Sequence, residues 1–479
     1  MKFRGGYDIF LSGRPDGITE IPPEPPMLYI PLRSGRFEFS ELCVNEGEPV
    51  RGGDVLAKDP ENFSVPLLAP RAGVVRLKKA HRHIVLEDIS KTDFAYSEQG
   101  GRTHIADRIG EAGIKRYKLL ELGAWQFFSD ACTGSLPDPM GTPQAVIVST
   151  VSLEPFVSRG DVQFRERLLD FSRGLEHLQS LLEYQPMYLV MPDINSEFAE
   201  EVRRHIRGWA WAKLIEIPMK YPFDNPAILA GNLGLRAGGD SIWFVRTDGV
   251  LAVDCALTLS KPCLDRIISI GGPAVESPVH IKVMTGYPVE AIRSRCTSDV
   301  SYRIINGGVF TGETVDSETL GLDSECTGIT VLAEHTEREF LGFMHPGPDR
   351  SSYAGCFLSS LRAKFSEAFS TAMRGEPRPC VSCNFCEEVC PAGIMPYLLH
   401  KYLYGGLIEQ VEQAGVDLCV ECGLCSFVCP SKLDLRREFI EAKALIAKEK
   451  EEIRREQLEK ERHRLAEEAR RKAAKEAEY

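Results

Sequence analysis

The sequence lacks three features that would each point to a particular class of protein. No stretch of eighteen apolar residues occurs, and the longest candidate, residues 242–259, contains an arginine and two aspartates, so the chain is not expected to span a membrane by itself. A net charge of -12 argues against nucleic acid as a partner. No Gly-x-Gly-x-x-Gly run lies between a strand and a helix in residues 100–260, so the usual dinucleotide fingerprint is missing.

No secretory signal is recognisable, which makes a disulfide framework unexpected and a reducing, cytoplasmic setting the default expectation. The 479 residues, 43% of them hydrophobic, predict a globular protein of three or four domains. Seven scattered cysteines are interpreted as buried or free thiols: Cys43, Cys132, Cys255, Cys263, Cys296, Cys326 and Cys356.

The other eight cysteines form two copies of one ligand pattern. The first copy is Cys380-x2-Cys383-x2-Cys386-x3-Cys390-Pro391, and the second is Cys419-x2-Cys422-x2-Cys425-x3-Cys429-Pro430. This is the spacing by which bacterial-type two-cluster proteins hold a pair of [4Fe–4S] clusters, with the fourth ligand of each cluster supplied by the other motif. The sequence therefore predicts two crossed sets: Cys380, Cys383, Cys386 and Cys429 for one cluster, and Cys390, Cys419, Cys422 and Cys425 for the other.

Two other interpretations of these cysteines are disfavoured. Structural zinc needs four ligands, usually as two separated pairs, and two complete four-cysteine runs exceed that need. Disulfide frameworks belong to small secreted domains, and this chain is much longer. His400 lies between the motifs, but we expect it to be a packing or surface histidine because the cysteines already suffice as ligands.

The predicted fold class is multidomain α/β plus β. Residues 1–95 predict an all-β, lipoyl/biotinyl-like barrel-sandwich hybrid, with turns at Gly47 and Gly52-Gly53. Carrier domains of that type place a lysine in Met-Lys-Met at a hairpin tip; Lys58 lies in a different context, so a structural role without a prosthetic group is expected.

Residues 100–260 alternate strands and helices and predict a Rossmann-like α/β domain with a parallel sheet. The expected strands are residues 145–149, 187–191 and 213–217; helical periodicity covers 162–184, and Asn195 is the expected cap of a helix ending at His205. The glycine-rich stretch 231–239 follows no clear strand and is interpreted as a surface turn.

The remaining chain is predicted to hold three more parts. Residues 264–350 predict a β-grasp, SLBB-like domain, with strands 265–272 and 278–283 followed by a short helix near residue 289. Residues 355–440 predict a helical two-[4Fe–4S] ferredoxin domain whose linker helix breaks at Gly405-Gly406. Residues 441–479 predict a charged, solvated helical tail, with partner docking as the alternative.

This domain order resembles one superfamily over essentially residues 1–440. That superfamily includes the C subunit of the Rnf complex and the A subunit of Na+-translocating NADH:quinone reductase. Segments 3–15 and 337–347 look like the A subunit, whereas the complete cysteine runs and segment 390–396 look like the Rnf C subunit. The resemblance identifies the chain as an iron–sulfur-bearing A-subunit homologue.

The resemblance also carries a departure. Where the Rnf C subunit has a glycine-rich flavin and NADH loop, this chain has bulky residues in segment 123–134, although Glu154-Pro155 matches the family's Glu-Pro element. Neither FMN nor NADH is therefore predicted to bind this chain by itself.

The resemblance implies an electron-transfer role on the cytoplasmic face of the inner membrane. The partners would be the other subunits of an NADH:quinone or ferredoxin:NAD oxidoreductase complex, with ferredoxin, an NADH-oxidising subunit or quinone as the donor or acceptor. Two alternatives stay open: a soluble flavin/iron–sulfur reductase of the Rnf C or cobalamin-reductase type, and a non-catalytic assembly subunit.

Overall fold

The computed structural model describes residues 2–90, 110–182, 185–194, 197–235, 240–297, 300–335, 369–371 and 376–477. The chain is a mixed α/β multidomain protein that divides into two units, Met1–Arg374 and Gly375–Tyr479. Four features named above lie outside the described residues: the helix cap at Asn195, the glycines at 238–239, the segment 337–347 and Cys356. In the described residues, no helix is long and apolar enough to cross a membrane.

The N-terminal part of the first unit is built from short strands, and those from β2 to β8 pair antiparallel with one another. The strands are β1 (Thr19–Glu20), β2 (Leu28–Pro31), β3 (Glu41–Leu42), β4 (Pro49–Val50), β5 (Val55–Asp59), β6 (Val65–Leu68), β7 (Ala72–Lys78) and β8 (His83–Ser90). They form a four-stranded sheet, β2-β8-β7-β4, and a three-stranded sheet, β3-β5-β6. Strand β1 joins neither of them, and Lys58 lies inside β5 opposite Pro66 and Glu41 rather than at a hairpin tip.

The next part alternates strands and helices. In chain order they are α1 (Glu111–Glu121), β9 (Phe128–Asp130), β10 (Ala145–Ser149), α2 (Gly160–Gln163), α3 (Leu168–Leu181), β11 (Met187–Pro192), α4 (Glu197–His205), β12 (Ala212–Ile217), α5 (Pro226–Asn232), β13 (Ile242–Arg246) and α6 (Thr247–Thr258). The sheet order is β12-β11-β10-β13-β9, in which only the edge strand β9 is antiparallel to its neighbour. All five residues of β10 are buried, which explains why its sequence is a continuous apolar run.

Two details of this part differ from the sequence prediction. The helical periodicity of residues 162–184 is divided between α2 and α3, with a break between Gln163 and Leu168. Gly231 and Asn232 end helix α5, so the glycine-rich stretch begins at the end of a helix.

A six-stranded sheet completes the first unit. Its further elements are β14 (Asp265–Gly271), β15 (Val279–Met284), α7 (Val289–Arg293), β16 (Tyr302–Asn306), β17 (Glu313–Thr314) and β18 (Gly328–Ala333). The order is β1-β15-β14-β18-β16-β17, so the N-terminal β1 pairs with β15 in parallel, opposite His280 and Ile281.

The second unit is helical in its described residues. Its helices are α8 (Phe385–Glu388), α9 (Pro396–Tyr404), α10 (Ile408–Gln413), α11 (Leu424–Phe427) and α12 (Leu435–Ala477). The break predicted at Gly405-Gly406 separates α9 from α10. The first turns of α12 pack Phe439, Ala442 and Ile446 into the core of this unit, whereas the described side chains of 447–467 are exposed.

Candidate functional site

The two cysteine motifs adopt the same backbone path. Ser382 and Glu421 occupy equivalent positions with φ of 54° and 56°, and Asn384 and Gly423 do so with φ of 62° and 77°. These left-handed conformations are uncommon for residues other than glycine and reverse the chain within each short loop. Each loop then enters a single helical turn, α8 or α11.

The repeat continues beyond the loops. After the fourth cysteine, Gly393 and Lys432 occupy equivalent positions with φ of 70° and 56°. A longer helix follows in each half, α9 starting at Pro396 and α12 starting at Leu435. The second unit therefore contains an internal repeat, in which the positions of one motif and its following helix have counterparts in the other.

Four cysteines line each of two cavities, and each set draws on both motifs. Cys380, Cys383, Cys386 and Cys429 line the first cavity, which has about 340 Å³ of empty space including its solvent-open part. Cys390, Cys419, Cys422 and Cys425 line the second cavity, which has about 370 Å³ in the same measure. These are the groupings that the sequence predicts; their role as iron ligands stays a prediction.

The walls of the two cavities differ at equivalent positions of the repeat. Tyr397 and His400 of α9 line the first cavity, whereas Arg436 and Phe439 of α12 line the second. His400 donates from Nδ1 to Oε2 of Glu438 at 2.7 Å, and its side chain is only 14% exposed. His400 is thus a packing residue at the wall of the first cavity.

Burial raises the pKa of several of these thiols. It raises the pKa of Cys386 to about 11 and that of Cys422 to about 12, and the pKa of Cys425 is raised well above its ordinary value. The pKa of Cys390 is also raised by burial, and hydrogen bonds from backbone N–H groups oppose the shift. A bare thiolate is therefore disfavoured here unless a positive centre compensates for its charge.

The described residues contain no group of three or more His, Cys, Asp and Glu that converges as a single metal ion would require. In each set the four cysteines instead surround a shared space. The donor chemistry fits a [4Fe–4S] cluster, since such clusters take four cysteine thiolates and are tuned by hydrogen bonds to sulfur. Backbone N–H groups of Ala392, Gly393 and Ile394 are in place to donate to the sulfur of Cys390.

Segment 123–134, where the sequence predicts no flavin or NADH loop, packs bulky side chains into the core of the first unit. Trp125 is completely buried, stacks on Phe128 with ring centroids 4.3 Å apart, and meets Trp243 edge to face. Gln126 donates to the carbonyl oxygen of Pro66. Glu154 of the Glu-Pro element accepts hydrogen bonds from the backbone of Phe310 and Thr311, so it fixes a loop.

The first unit also has a larger cavity that the sequence does not predict. It has about 1400 Å³ of empty space including its solvent-open part, beside Phe127 and the N-terminal segment 17–21. Its charged lining residues are Arg165, Glu166, Arg167, Asp248, Asp265, Arg266 and Lys282. The lining comes from segments far apart in the chain, so no local motif could have indicated it.

Two cations beside the second cavity were also missed by sequence reasoning. Arg436 donates from Nε to the carbonyl oxygen of Glu421 at 2.8 Å. Lys443 donates from Nζ to the carbonyl oxygen of Cys419 at 2.7 Å and to Oε1 of Glu421 at 2.6 Å. Aligning the two halves of the repeat places Arg436 opposite Tyr397 and Lys443 opposite Tyr404. That alignment could have indicated the two cations from the sequence.

Comparisons with known proteins address both units. Residues 379–433 match the family described as 4Fe-4S dicluster domain, and residues 111–212 match the family described as NqrA second alpha/beta domain. The A subunit of the Na(+)-translocating NADH-quinone reductase of Pseudomonas aeruginosa is 26% identical over 420 residues, which cover 87% of this chain and 92% of the relative. The chain is homologous to these A subunits.

Other relatives agree with this assignment. The corresponding protein of Alcanivorax borkumensis is 25% identical over 411 residues, covering 85% of this chain and 90% of the relative.

Two structures of NAD+-reducing [NiFe]-hydrogenase align with TM-scores of 0.36 and 0.42, at 13% and 10% identity, over 47% and 69% of this chain and 48% and 63% of theirs. Scores this low carry no argument about fold or function.

Proposed function

We propose that the chain is an electron-transfer subunit of a membrane-associated, ion-translocating oxidoreductase of the Rnf/Nqr type. It relays electrons through two [4Fe–4S] clusters, one on Cys380, Cys383, Cys386 and Cys429 and the other on Cys390, Cys419, Cys422 and Cys425. The observation that carries the proposal is the meeting of four cysteines around each cavity, three from one motif and one from the other.

The residues around the thiols suit this role. A coordinating thiol is deprotonated outright by its metal, so the burial that raises the pKa of the free Cys386 and Cys422 does not prevent binding. Each cluster supplies one-electron chemistry; the protein supplies ligands, hydrogen bonds and partial burial, which set the potential. Sharing of cysteines between motifs holds the two sites side by side, as an electron relay requires.

The scaffold part of the proposal follows the sequence prediction. Residues 1–95 would form the barrel-sandwich hybrid, 100–260 the Rossmann-like domain, 264–350 the β-grasp domain, 355–440 the ferredoxin domain and 441–479 the helical tail. The names of the relatives support partnership with the other subunits of a sodium-translocating reductase. The proposed location is the cytoplasmic face of the membrane, with ferredoxin, an NADH-oxidising subunit or quinone as the immediate redox partner.

Iron content tests this function. We expect the anaerobically purified chain to hold about eight irons and eight acid-labile sulfides, and Cys383→Ser or Cys422→Ser to retain about four irons. The exposed Cys43, which lies in the first unit, provides the control: Cys43→Ser should keep the full complement. A wild-type chain with only one or two irons, or with zinc in their place, contradicts the proposal.

A second candidate, a soluble NADH-dependent flavin/iron–sulfur reductase, is favoured by one observation. The cavity beside Phe127 combines apolar surface with four cationic and three acidic side chains, so its lining has a small positive excess and room for an organic anion. Adding NADH to the isolated chain separates the two candidates. Bleaching of the cluster absorbance without partner proteins supports the reductase, whereas bleaching only with partner subunits present supports the electron-transfer subunit.

A further inference from the structure

The repeat in the second unit allows the two cavities to be compared position by position. The second half carries Arg436 and Lys443 where the first half carries Tyr397 and Tyr404. Each pair begins at the second residue of the longer helix that follows its motif, α9 or α12. The folded repeat therefore provides an internal control for charge around otherwise similar sets of four cysteines.

Both cations reach the loop of the second motif. Arg436 is one of the residues that line the second cavity, and its Nε donates to the carbonyl oxygen of Glu421, which lies between Cys419 and Cys422. The ammonium of Lys443 donates to the carbonyl of Cys419 itself. Both cations thus contact backbone carbonyl groups that belong to a cysteine of this loop or to its neighbour.

The carboxylates nearby offset only part of this charge. Glu421 pairs with Lys443 at 2.6 Å, and within the described part of the chain no carboxylate forms an ion pair with Arg436. Glu387 is near Cys390, but its side chain is exposed to solvent. The second cavity therefore keeps a net positive, half-buried environment.

The first cavity has a weaker positive environment. Lys401 donates to Oγ of Ser382, but Lys401 is exposed, so water and salt screen its charge. Glu438 adds a negative charge through its hydrogen bond to His400 at the cavity wall. Tyr397 and Tyr404 contribute no charge at neutral pH.

We propose that Arg436 and Lys443 raise the reduction potential of the cluster on Cys390, Cys419, Cys422 and Cys425 above that of the other cluster. Reduction adds one negative charge to a cluster, and nearby half-buried cations favour that form. That order of potentials would favour transfer of one electron from the first cluster, which would be oxidised, to the second, which would be reduced. This inference rests on the proposed function. Arg436 and Lys443 act on the cluster through their positive charges and are not its ligands.

A redox titration followed by electron paramagnetic resonance on the full-length chain tests the inference. Arg436→Gln and Lys443→Gln should each lower the midpoint of the higher-potential cluster and leave the other unchanged. We expect the double variant to shift the ratio of reduced to oxidised cluster at least tenfold at a fixed potential, which is about 59 mV for a one-electron couple. Lys448→Gln, at an exposed lysine of the same helix, is the matched control and should shift neither midpoint.

The reciprocal variant keeps the test decisive if Arg436→Gln fails to assemble. Tyr397→Arg places a guanidinium at the equivalent position of the first half and should raise the lower midpoint alone. Equal shifts of both midpoints, or no shift in any variant that retains its iron, overturns the inference. Absence of iron in the wild-type chain instead contradicts the proposed function, so the two failures are distinguishable.

Discussion

Nδ1 of His400 lies 2.7 Å from Oε2 of Glu438, and this hydrogen bond joins α9 to α12 at the wall of the first cavity. His400 lines that cavity, while Glu438 belongs to the first turn of the long C-terminal helix. The contact ties the helix that follows one cysteine motif to the helix that follows the other. It should therefore help to hold the wall of the first cavity in place.

Removal of this hydrogen bond should loosen one cluster selectively. Glu438→Ala leaves a half-buried imidazole N–H without its acceptor, which costs about 1 kcal/mol and corresponds to roughly fivefold faster iron release. The measurement is the rate at which an iron(II) chelator develops colour with the anaerobic protein. We expect about half of the iron to leave faster and the rest to keep its rate, given two clusters of four irons.

Glu441→Ala is the matched control for that change. Glu441 lies on the same helix, is 66% exposed and pairs with the exposed Arg437. Exposed pairs of this kind contribute little to stability. Equal acceleration in both variants would show that the His400 contact has no specific role.

The left-handed loop residues give a second prediction. Asn384 has φ of 62° at the position where the other motif carries Gly423. Asn384→Gly should therefore keep the full iron content, whereas Asn384→Val forces a β-branched residue into this conformation at a cost of about 1–2 kcal/mol or more. Iron content and melting temperature of the two variants, measured side by side, check this. Similar losses in both would mean that the asparagine side chain matters rather than the backbone conformation.

His280 gives a prediction of pH dependence for the first unit. The side chain is fully buried in β15, and burial, followed by the nearby Arg159, lowers its pKa to about 4. The unfolded chain has the ordinary pKa near 6.5, so between the two values the unfolded state binds more protons. The contribution of neutral His280 to the free energy of unfolding is fully present above about pH 6.5 and is lost as the pH falls towards 4. This contribution amounts to about 3 kcal/mol.

Tryptophan fluorescence can isolate this effect, because all four tryptophans lie in the first unit. Urea titrations at pH 7 and pH 4.5 should show the loss in the wild-type chain. His280→Leu, of similar volume, should reduce the difference between the two pH values. Other charged groups face the same region, among them Asp161 and Arg165, so the variant is compared at both pH values rather than at one.

The sequence predicted the grouping of the cysteines better than the walls around them. The doubled spacing predicted the two sets of four cysteines that line the two cavities, and iron binding by these thiols stays a prediction. Continuous apolar runs located β10 and β11, since buried parallel strands need them. The pairing of β1 with β15 could not be foreseen, because two residues carry no pattern and their partner lies far along the chain.

The beginning of α12 shows why the rest was missed. The charged composition after residue 441 suggested a solvated tail, and beyond residue 446 the described side chains are indeed exposed. A short apolar face of α12, however, packs into the core of the second unit; it consists of Phe439, Ala442 and Ile446. Two turns of helix are too short for periodicity to reveal such a face, so the sequence alone does not distinguish Lys443 from the residues of the tail.

The most direct test of the central claim compares two double variants by iron content. If each cluster takes three cysteines from one motif and one from the other, Cys383→Ser with Cys429→Ser damages a single cluster and should retain about four irons. Cys383→Ser with Cys390→Ser damages both clusters and should retain almost none. The reverse result, with about four irons left in the second variant and almost none in the first, would contradict the account.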